Sequence, residues 1–304
     1  MERKPKKIVH LVFMILFIHM SSLLLEWIDQ VFENEMILLA DQAREHYGMM
    51  RFREGIQFCA HGMIGMRDLY REWCRVVGRP MNNRILMKYI SNFTIMMSVA
   101  CPHWSDYVWR KVLGNETNVA FATWPHQDSR HNVGLSHSLK FFKKFSHDLR
   151  HLIDTRKTAP TAALIEIAHF YSPLKVSVLN KLREEFEGGE FPGDLRQRLM
   201  DWCDGDDSLK REKGNVMGFS TLVVQSIERE GEDPEEAFQC ELPFDQAEVL
   251  NENIPFFTST MSLETITVAE WDPSTAAPTQ GKKKKKKKGK NQDPEPGLPR
   301  IILS

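Results

Sequence analysis

The sequence predicts a mostly α fold: an antiparallel helical bundle, then a smaller α+β domain, then a disordered Lys-rich tail. Three observations carry this. Phe52, Ile56, Cys59, Met63, Met66, Tyr70, Trp73 and Val77 recur four and three apart, one continuous helical stripe. Beyond residue 160 the apolar runs shorten and alternate, as in TAALIEIAHF, with the period of a half-buried strand. After Trp271 the composition falls to Pro, Thr, Gly and Lys, too poor in apolar residues to bury a core. A length of 304 residues allows about two domains, and 42% hydrophobic against 27% charged residues suits a globular core.

Residues 1–26 stand apart. MERKPKK precedes an apolar run over residues 8–25, close to the length that spans a bilayer. Basic residues ahead of such a run also suit a signal or an anchor. No small-x-small cleavage site follows, and His10, His19, Ser21 and Ser22 interrupt the run. A membrane segment, a buried helix and a misplaced start of translation stay open here.

The bundle is expected over 27–125. Ile28, Val31, Phe32, Met36, Leu39 and Ala43 share one face of a helix that stops near Gly48. The stripe helix follows, with Arg53, Glu54, Arg67, Asp68, Arg71 and Arg75 opposite the stripe, and Gly78-Arg-Pro80 ends it. A third helix, Asn83 to Ala100, turns Leu86, Tyr89, Phe93, Met97 and Ala100 inward. It must stop at Pro102, which lacks an N–H and restricts the residue before it. Proline suits the first turn of the next helix, which runs to Leu113 with Gly114 as its cap. Short joints make these neighbours antiparallel.

The α+β domain is expected over 136–271. A basic helix, about 136–153, leads to the TAALIEIAHF strand. Ser172-Pro173 starts a helix to Glu187 that Gly188-Gly189 ends, and more helix follows over 194–203 and 208–230. FQCELPF and LETITVAEW read as two further strands around a short helix, 245–253. Residues 272–304 are the tail.

Net charge is −1, so total charge excludes no partner class. Its distribution says more. Between Glu228 and Glu252 ten acids stand against one base, Arg229. Residues 282–290 hold eight lysines and one glycine, and residues 137–157 hold six Lys/Arg against two Asp. Cys59, Cys74, Cys101, Cys203 and Cys240 form an odd set without a CxxC pair, which fits a reducing compartment.

Cys59-x-His61 and Cys101-x-His103, with Cys74, invite a zinc reading. Structural zinc favours Cys-x₂₋₄-Cys and His-x₃₋₅-His spacings, and the two Cys-x-His pairs have neither. Cys59 also falls on the apolar stripe, where cysteine acts as a small hydrophobe. No metal ligand is therefore assigned. With no G-x-S-x-G and no sequence-local hint of a catalytic Cys/His dyad, no catalytic residue is assigned either. Gly62-x-x-Gly65 lies inside a helix and follows no strand, so it serves helix packing and not phosphate binding. The basic helix is the stronger candidate. Leu139, Phe142, Phe145 and Leu149 line one side, leaving Lys140, Lys143, Lys144 and Arg150 as a ridge for phosphates or a merely solvated face. The lysine run offers non-specific attraction to RNA or an acidic surface.

ACPHWSDYVWRKVLG, residues 100–114, resembles the bundle motif of class I aminoacyl-tRNA synthetases: a Cys-Pro-His corner, an acid (Asp106) and a tryptophan (Trp109). The family more often has Glu at the acid position. WIDQVFENEM, MMRFREGIQFCAHGMIGMRDLYREWC and VAFATWP resemble the eukaryotic cytosolic leucyl branch. So do YSPLKVSVLNKLREEFEGGEFP and ELPFDQAEVLNENIPFFTSTMSLETITV. The resemblance covers about residues 27–271.

It implies an anticodon-binding-type bundle plus C-terminal domain that binds tRNA(Leu) in the cytoplasm. Lys140, Lys143, Lys144 and Arg150 would meet phosphates, which position RNA without specifying sequence. Other synthetases or a separate catalytic portion would be further partners. At the joint Pro102 separates two helices, Trp104 and Trp109 fill the corner, and His103 serves hydrogen bonding at the helix start. The family's His-x-Gly-His and Lys-Met-Ser-Lys-Ser motifs do not occur; HGMIG at 61–65 and KYISN at 88–92 are not they. ATP and Mg are thus implied only for a full-length enzyme, and no cofactor for this chain. Two rival readings remain: a non-catalytic interaction module docking through the 228–252 acids and the lysine run, and a helical protein anchored to a membrane through residues 8–25.

Overall fold

Helix α1 (Trp27–Gly48) opens the described chain, with the Asp29 carboxylate accepting from the Glu26 N–H at 3.2 Å. The computed structural model describes residues 25–125, 131–156, 158–230, 233–271 and 293–304. The apolar run before residue 25 and the lysine run 282–290 lie outside the described residues. Among those described, no helix is long and apolar enough to cross a membrane. Two units are distinguished: residues 1–146 with 252–262, and residues 147–251 with 263–304.

In the first unit the expected stripe holds from Cys59 to Trp73 but not at its ends, where Phe52 is exposed and Ile56 and Val77 are half-buried. Trp27, Ile28, Val31, Phe32, Met36, Ala40 and Ala43 of α1 are buried. The next pattern divides into α2 (Phe52–Ile56), a π turn (Gln57–Gly62) and α3 (Met63–Val77). Cys59, Met63, Met66, Tyr70 and Trp73 are buried, while Phe52 is 48% exposed. The π turn sets Cys59 Sγ 3.1 Å from the Tyr47 hydroxyl, and burial raises the pKa of both groups. Gly62 lies so close to α1 that a Cβ there would stand 2.6 Å from Leu39 Cδ2. Gly78 takes the left-handed conformation (φ +77°) that stops α3.

Helix α4 (Asn83–Met97) ends three residues earlier than expected. Its buried line is Ile85, Tyr89, Thr94, Ile95 and Met96, so Leu86, Phe93 and Met97 sit on its margin and Ala100 is exposed. A buried network ties α1 to α3. Asp29, fully buried, accepts from Tyr70 Oη at 2.6 Å and pairs with Arg79, which also reaches Glu26 at 2.6 Å. Tyr70 Oη in turn accepts from the Asn82 N–H at 2.9 Å. Helix α5 (Pro102–Tyr107), a π turn (Val108–Val112) and a 3₁₀ turn (Val119–Phe121) follow.

The second unit centres on a three-stranded sheet in the order β2-β1-β3. β1 (Ala162–Ile167) pairs in parallel with β2 (Thr265–Glu270), from Ala162↔Thr265 to Ile167↔Glu270. It pairs antiparallel with β3 (Arg300–Leu303), from Ala163↔Leu303 to Glu166↔Arg300. Ala163, Ile165 and Ile167 are buried, the alternation the sequence announced. The tail expected over 272–304 therefore does not hold for residues 293–304. Arg300 pairs with Glu166, Lys175 with Glu295, and the Gly297 N–H reaches Gln246 Oε1 at 3.3 Å.

The helices of this unit are α7 (Pro173–Glu185), α8 (Leu195–Asp204), α9 (Asp207–Arg211), α10 (Lys213–Glu230), α11 (Pro234–Ala237) and α12 (Gln246–Glu252), the last reaching into the first unit by its final residue. Val178, Leu179, Leu182, Leu199, Cys203 and Val216 form their core. FQCELPF is not a strand. Phe238 is buried 5.6 Å from Phe186, and its carbonyl accepts from Arg183 at 2.8 Å, so the segment turns inward there. Helix α13 (Ile254–Met261) groups with the first unit, where Trp73 Nε1 donates to Asn253 Oδ1 at 2.7 Å.

Candidate nucleic-acid interface

Helix α6 (Val133–Asp154) carries the basic ridge. Its N-terminal part is fixed by polar contacts within the first unit. Asn34 Oδ1 accepts from the Asn132 N–H at 2.7 Å, and Asn34 Nδ2 donates to the Asn132 carbonyl at 3.0 Å. The Ser136 hydroxyl lies 2.8 Å from His131 Nε2 and donates to Glu35. Trp27 Nε1 donates to Ser138 Oγ at 3.0 Å. The apolar side then packs: the Phe142 ring lies 5.1 Å from Trp27 and 5.3 Å from Phe257, and Phe145 5.1 Å from Phe257. Leu139, Phe142, Phe145 and Leu149 are buried, as their spacing required.

With that side committed, the opposite side faces water. Lys140, Lys143, Lys144 and Arg150 are all exposed. At about 100° per residue they fall, with His147 and His151, in a stripe roughly 120° wide. Lys140 to Arg150 covers about 15 Å of helix axis at 1.5 Å per residue. None of the four forms an ion pair with a described residue. This contrasts with Lys88, held by Glu33 at 3.0 Å, and Arg110, held by Asp106 at 2.8 Å. Four exposed cations without an acidic partner among the described residues suit a polyanion whose charges recur along a line.

The joint is arranged differently from the expected corner. Pro102 occupies the first position of α5, and Ser105 is the buried residue of that helix. Trp104 precedes Ser105 and so lies on the rim, 47% exposed, its ring edge-on to Phe93 at 6.1 Å. Cys101 and His103 are exposed. Trp109 is half-buried, with Nε1 inside the protein and without a hydrogen-bond partner among the described residues. Asp106 serves a purpose that spacing alone does not reveal: it accepts from the Val119 N–H at 3.2 Å, fastening the 3₁₀ turn to α5. Among the described residues, no three His, Cys, Asp or Glu side chains gather where a metal ion would sit.

The bundle, its proline joint and the first strand fall together in one comparison. Residues 29–168 match the family model described as the anticodon-binding domain of tRNA ligase. Residues 29–168 are thus similar to an anticodon-binding domain of the tRNA-ligase type. The ridge on α6 lies inside the matched stretch. Over most of its length the chain is also similar to a C-terminal portion of cytoplasmic leucine–tRNA ligases. The enzyme of Neurospora crassa is 26% identical over 260 residues, 79% of this chain and 22% of the relative. That of Pongo abelii is 25% identical over 253 residues, 79% of this chain and 21% of the relative. That of Arabidopsis thaliana is 37% identical over a shorter stretch of 97 residues, 32% of this chain and 9% of the relative. The chain thus spans about a fifth of the length of the first two relatives.

Proposed function

We propose that the chain is the tRNA-binding portion of a leucine–tRNA ligase, acting in the cytoplasm on tRNA(Leu). The observation that supports this reading best is the exposed cationic stripe Lys140, Lys143, Lys144 and Arg150 on a helix inside the stretch that matches the anticodon-binding domain. Their burial partners fix the helix, so the charges arrive at the RNA already ordered and lose little freedom on binding. Contacts of this kind set register on the RNA backbone, and any discrimination among tRNAs comes from shape and from elsewhere. Adenylate formation, with its ATP and Mg, belongs to a catalytic portion acting with this one.

The test is a salt titration of tRNA affinity. Each phosphate contact contributes roughly 0.7–0.9 to the log–log slope. Replacing Lys140, Lys143 and Lys144 together by alanine should weaken binding and flatten the slope by roughly 2–3. An unaltered slope and affinity would remove α6 from the interface.

A further inference from the structure

The second unit holds a groove that RNA binding by α6 leaves unused. Its volume is about 640 Å³, within the range of roughly 300–1,000 Å³ typical of ligand sites. Phe191, Leu195 and Leu199 line one side, from α8 and the loop ahead of it. Met217, Ser220, Thr221, Val224, Gln225 and Glu228 line the other, three and four apart on α10. That wall runs for about three helical turns, roughly 18 Å from Met217 to Arg229. A compact ligand uses one turn of such a wall; an elongated one uses all of it.

The deepest part of the floor is apolar, and polar groups lie beside it. Leu195 and Leu199 are buried, and Met217 and Val224 half-buried. The Ser220 and Thr221 hydroxyls already donate to the carbonyls of Val216 and Met217 at 2.8 and 2.7 Å. The one aromatic ring in the wall, Phe191, is engaged edge-on with Phe186 and Phe238, whereas RNA bases need ring faces to stack on. The rim carries two arginines. Arg196 and Arg229 border the groove against a single acid, Glu228. Neither arginine has an acidic partner among the described residues, while Arg198 is held by both Asp194 and Glu185.

We propose that this groove docks an amphipathic helix of a partner protein, apolar on one face and acidic along its flanks. Length favours a helix: apolar side chains at i, i+3 or i+4, and i+7 match a wall with the same period. Charge favours acidic flanks, because two guanidiniums with no acidic partner among the described residues repel a basic segment and pair carboxylates in a bidentate manner.

Gly218 makes the proposal testable without unfolding the unit. It lies in the groove wall on α10, and a Cβ there would meet open space. Gly218→Leu therefore fills the groove while raising helix propensity. Peptides of about 14 residues, roughly four helical turns, are selected from a phage-displayed random library against the full chain. Gly218→Leu serves as counter-selection, and circular dichroism checks its fold. The enriched peptides should carry apolar residues at helical spacing with an excess of Asp and Glu. Their affinity should fall at least tenfold on Gly218→Leu and on the double reversal Arg196→Glu/Arg229→Glu. The proposal is overturned if nothing is enriched over the counter-selection, or if the enriched peptides are basic. It is also overturned if Gly218→Leu weakens tRNA binding and not peptide binding, which makes the groove an RNA surface, or if it abolishes a dimer of this chain.

Discussion

Tyr70→Phe should lower the stability of the first unit by about 1–3 kcal/mol, the cost of leaving a buried acceptor unsatisfied. The phenol bridges two groups, donating to Asp29 Oδ1 at 2.6 Å and accepting from the Asn82 N–H at 2.9 Å. Phenylalanine keeps the ring and its stacking on Phe32 at 4.7 Å, so packing is conserved and the hydroxyl alone is removed. The two orphaned groups differ. Asn82 is half-buried and recovers a partner from water; Asp29 is fully buried and does not. The loss therefore falls chiefly on Asp29, whose other oxygen keeps Arg79 and the Glu26 N–H. Asp29→Ala should cost more than Tyr70→Phe, because it strips Arg79 of a counter-charge. It should stay below the ~3–5 kcal/mol of a wholly buried broken pair, since Arg79 retains Glu26 at 2.6 Å and is 19% exposed. Urea denaturation followed by tryptophan fluorescence measures both, with the denaturant slope unchanged. A Tyr70→Phe midpoint equal to that of the parent would refute the argument, and so would Asp29→Ala proving the milder of the two.

Two further outcomes follow from packing and from burial. Gly62→Ala should be less stable than Gly65→Ala by roughly 1–2 kcal/mol, since both gain helix propensity but only the first overpacks. A Cβ at Gly62 meets Leu39 at 2.6 Å, whereas one at Gly65 meets nothing within 4 Å; thermal denaturation of the pair decides it. Burial pushes the Cys74 thiol up from 9.0 to about 11, so the unfolded chain releases this proton first as pH rises. Stability present below about pH 9 is then lost towards pH 11. Urea midpoints should fall over that window, and the fall should be shallower in Cys74→Ala; parallel profiles would show that Cys74 titrates alike in both states.

The helices of the bundle were legible because each buries one stripe, and a stripe leaves a period in the sequence. The π turn at Gln57–Gly62 was not: it depends on Tyr47, Leu39 and Met97 meeting Cys59 and Gly62 from other helices. Trp104 looked like core because it is large and apolar, yet Ser105 takes the inward position and leaves it on the rim. FQCELPF alternates like a strand but pairs with no strand among the described residues, and Phe238 joins an aromatic trio instead. RIIL was too short, and too close to a low-complexity run, to announce a strand whose partner lies more than a hundred residues earlier. The basic ridge was readable from one helix alone. The α8–α10 groove was not, because it depends on how two neighbouring helices pack and not on the period of either one.

The return of the chain into the sheet at β3 changes what the lysine-rich segment is. It lies between two strands that flank β1 on opposite sides, not beyond the last ordered element. The strand ends on either side of it, Glu270 and Arg300, stand on opposite flanks of β1, two strand spacings or roughly 10 Å apart. Excising residues 282–290 therefore shortens a bridge and leaves both abutments standing, whereas ending the chain before them also takes away the sheet edge that covers β1. A single proteolytic cut in the bridge would release nothing: the severed C-terminal piece stays moored by β3, by Arg300 on Glu166 and by Lys175 on Glu295. Mass spectrometry under native conditions would find the nicked chain at full mass, and two fragments only after denaturation.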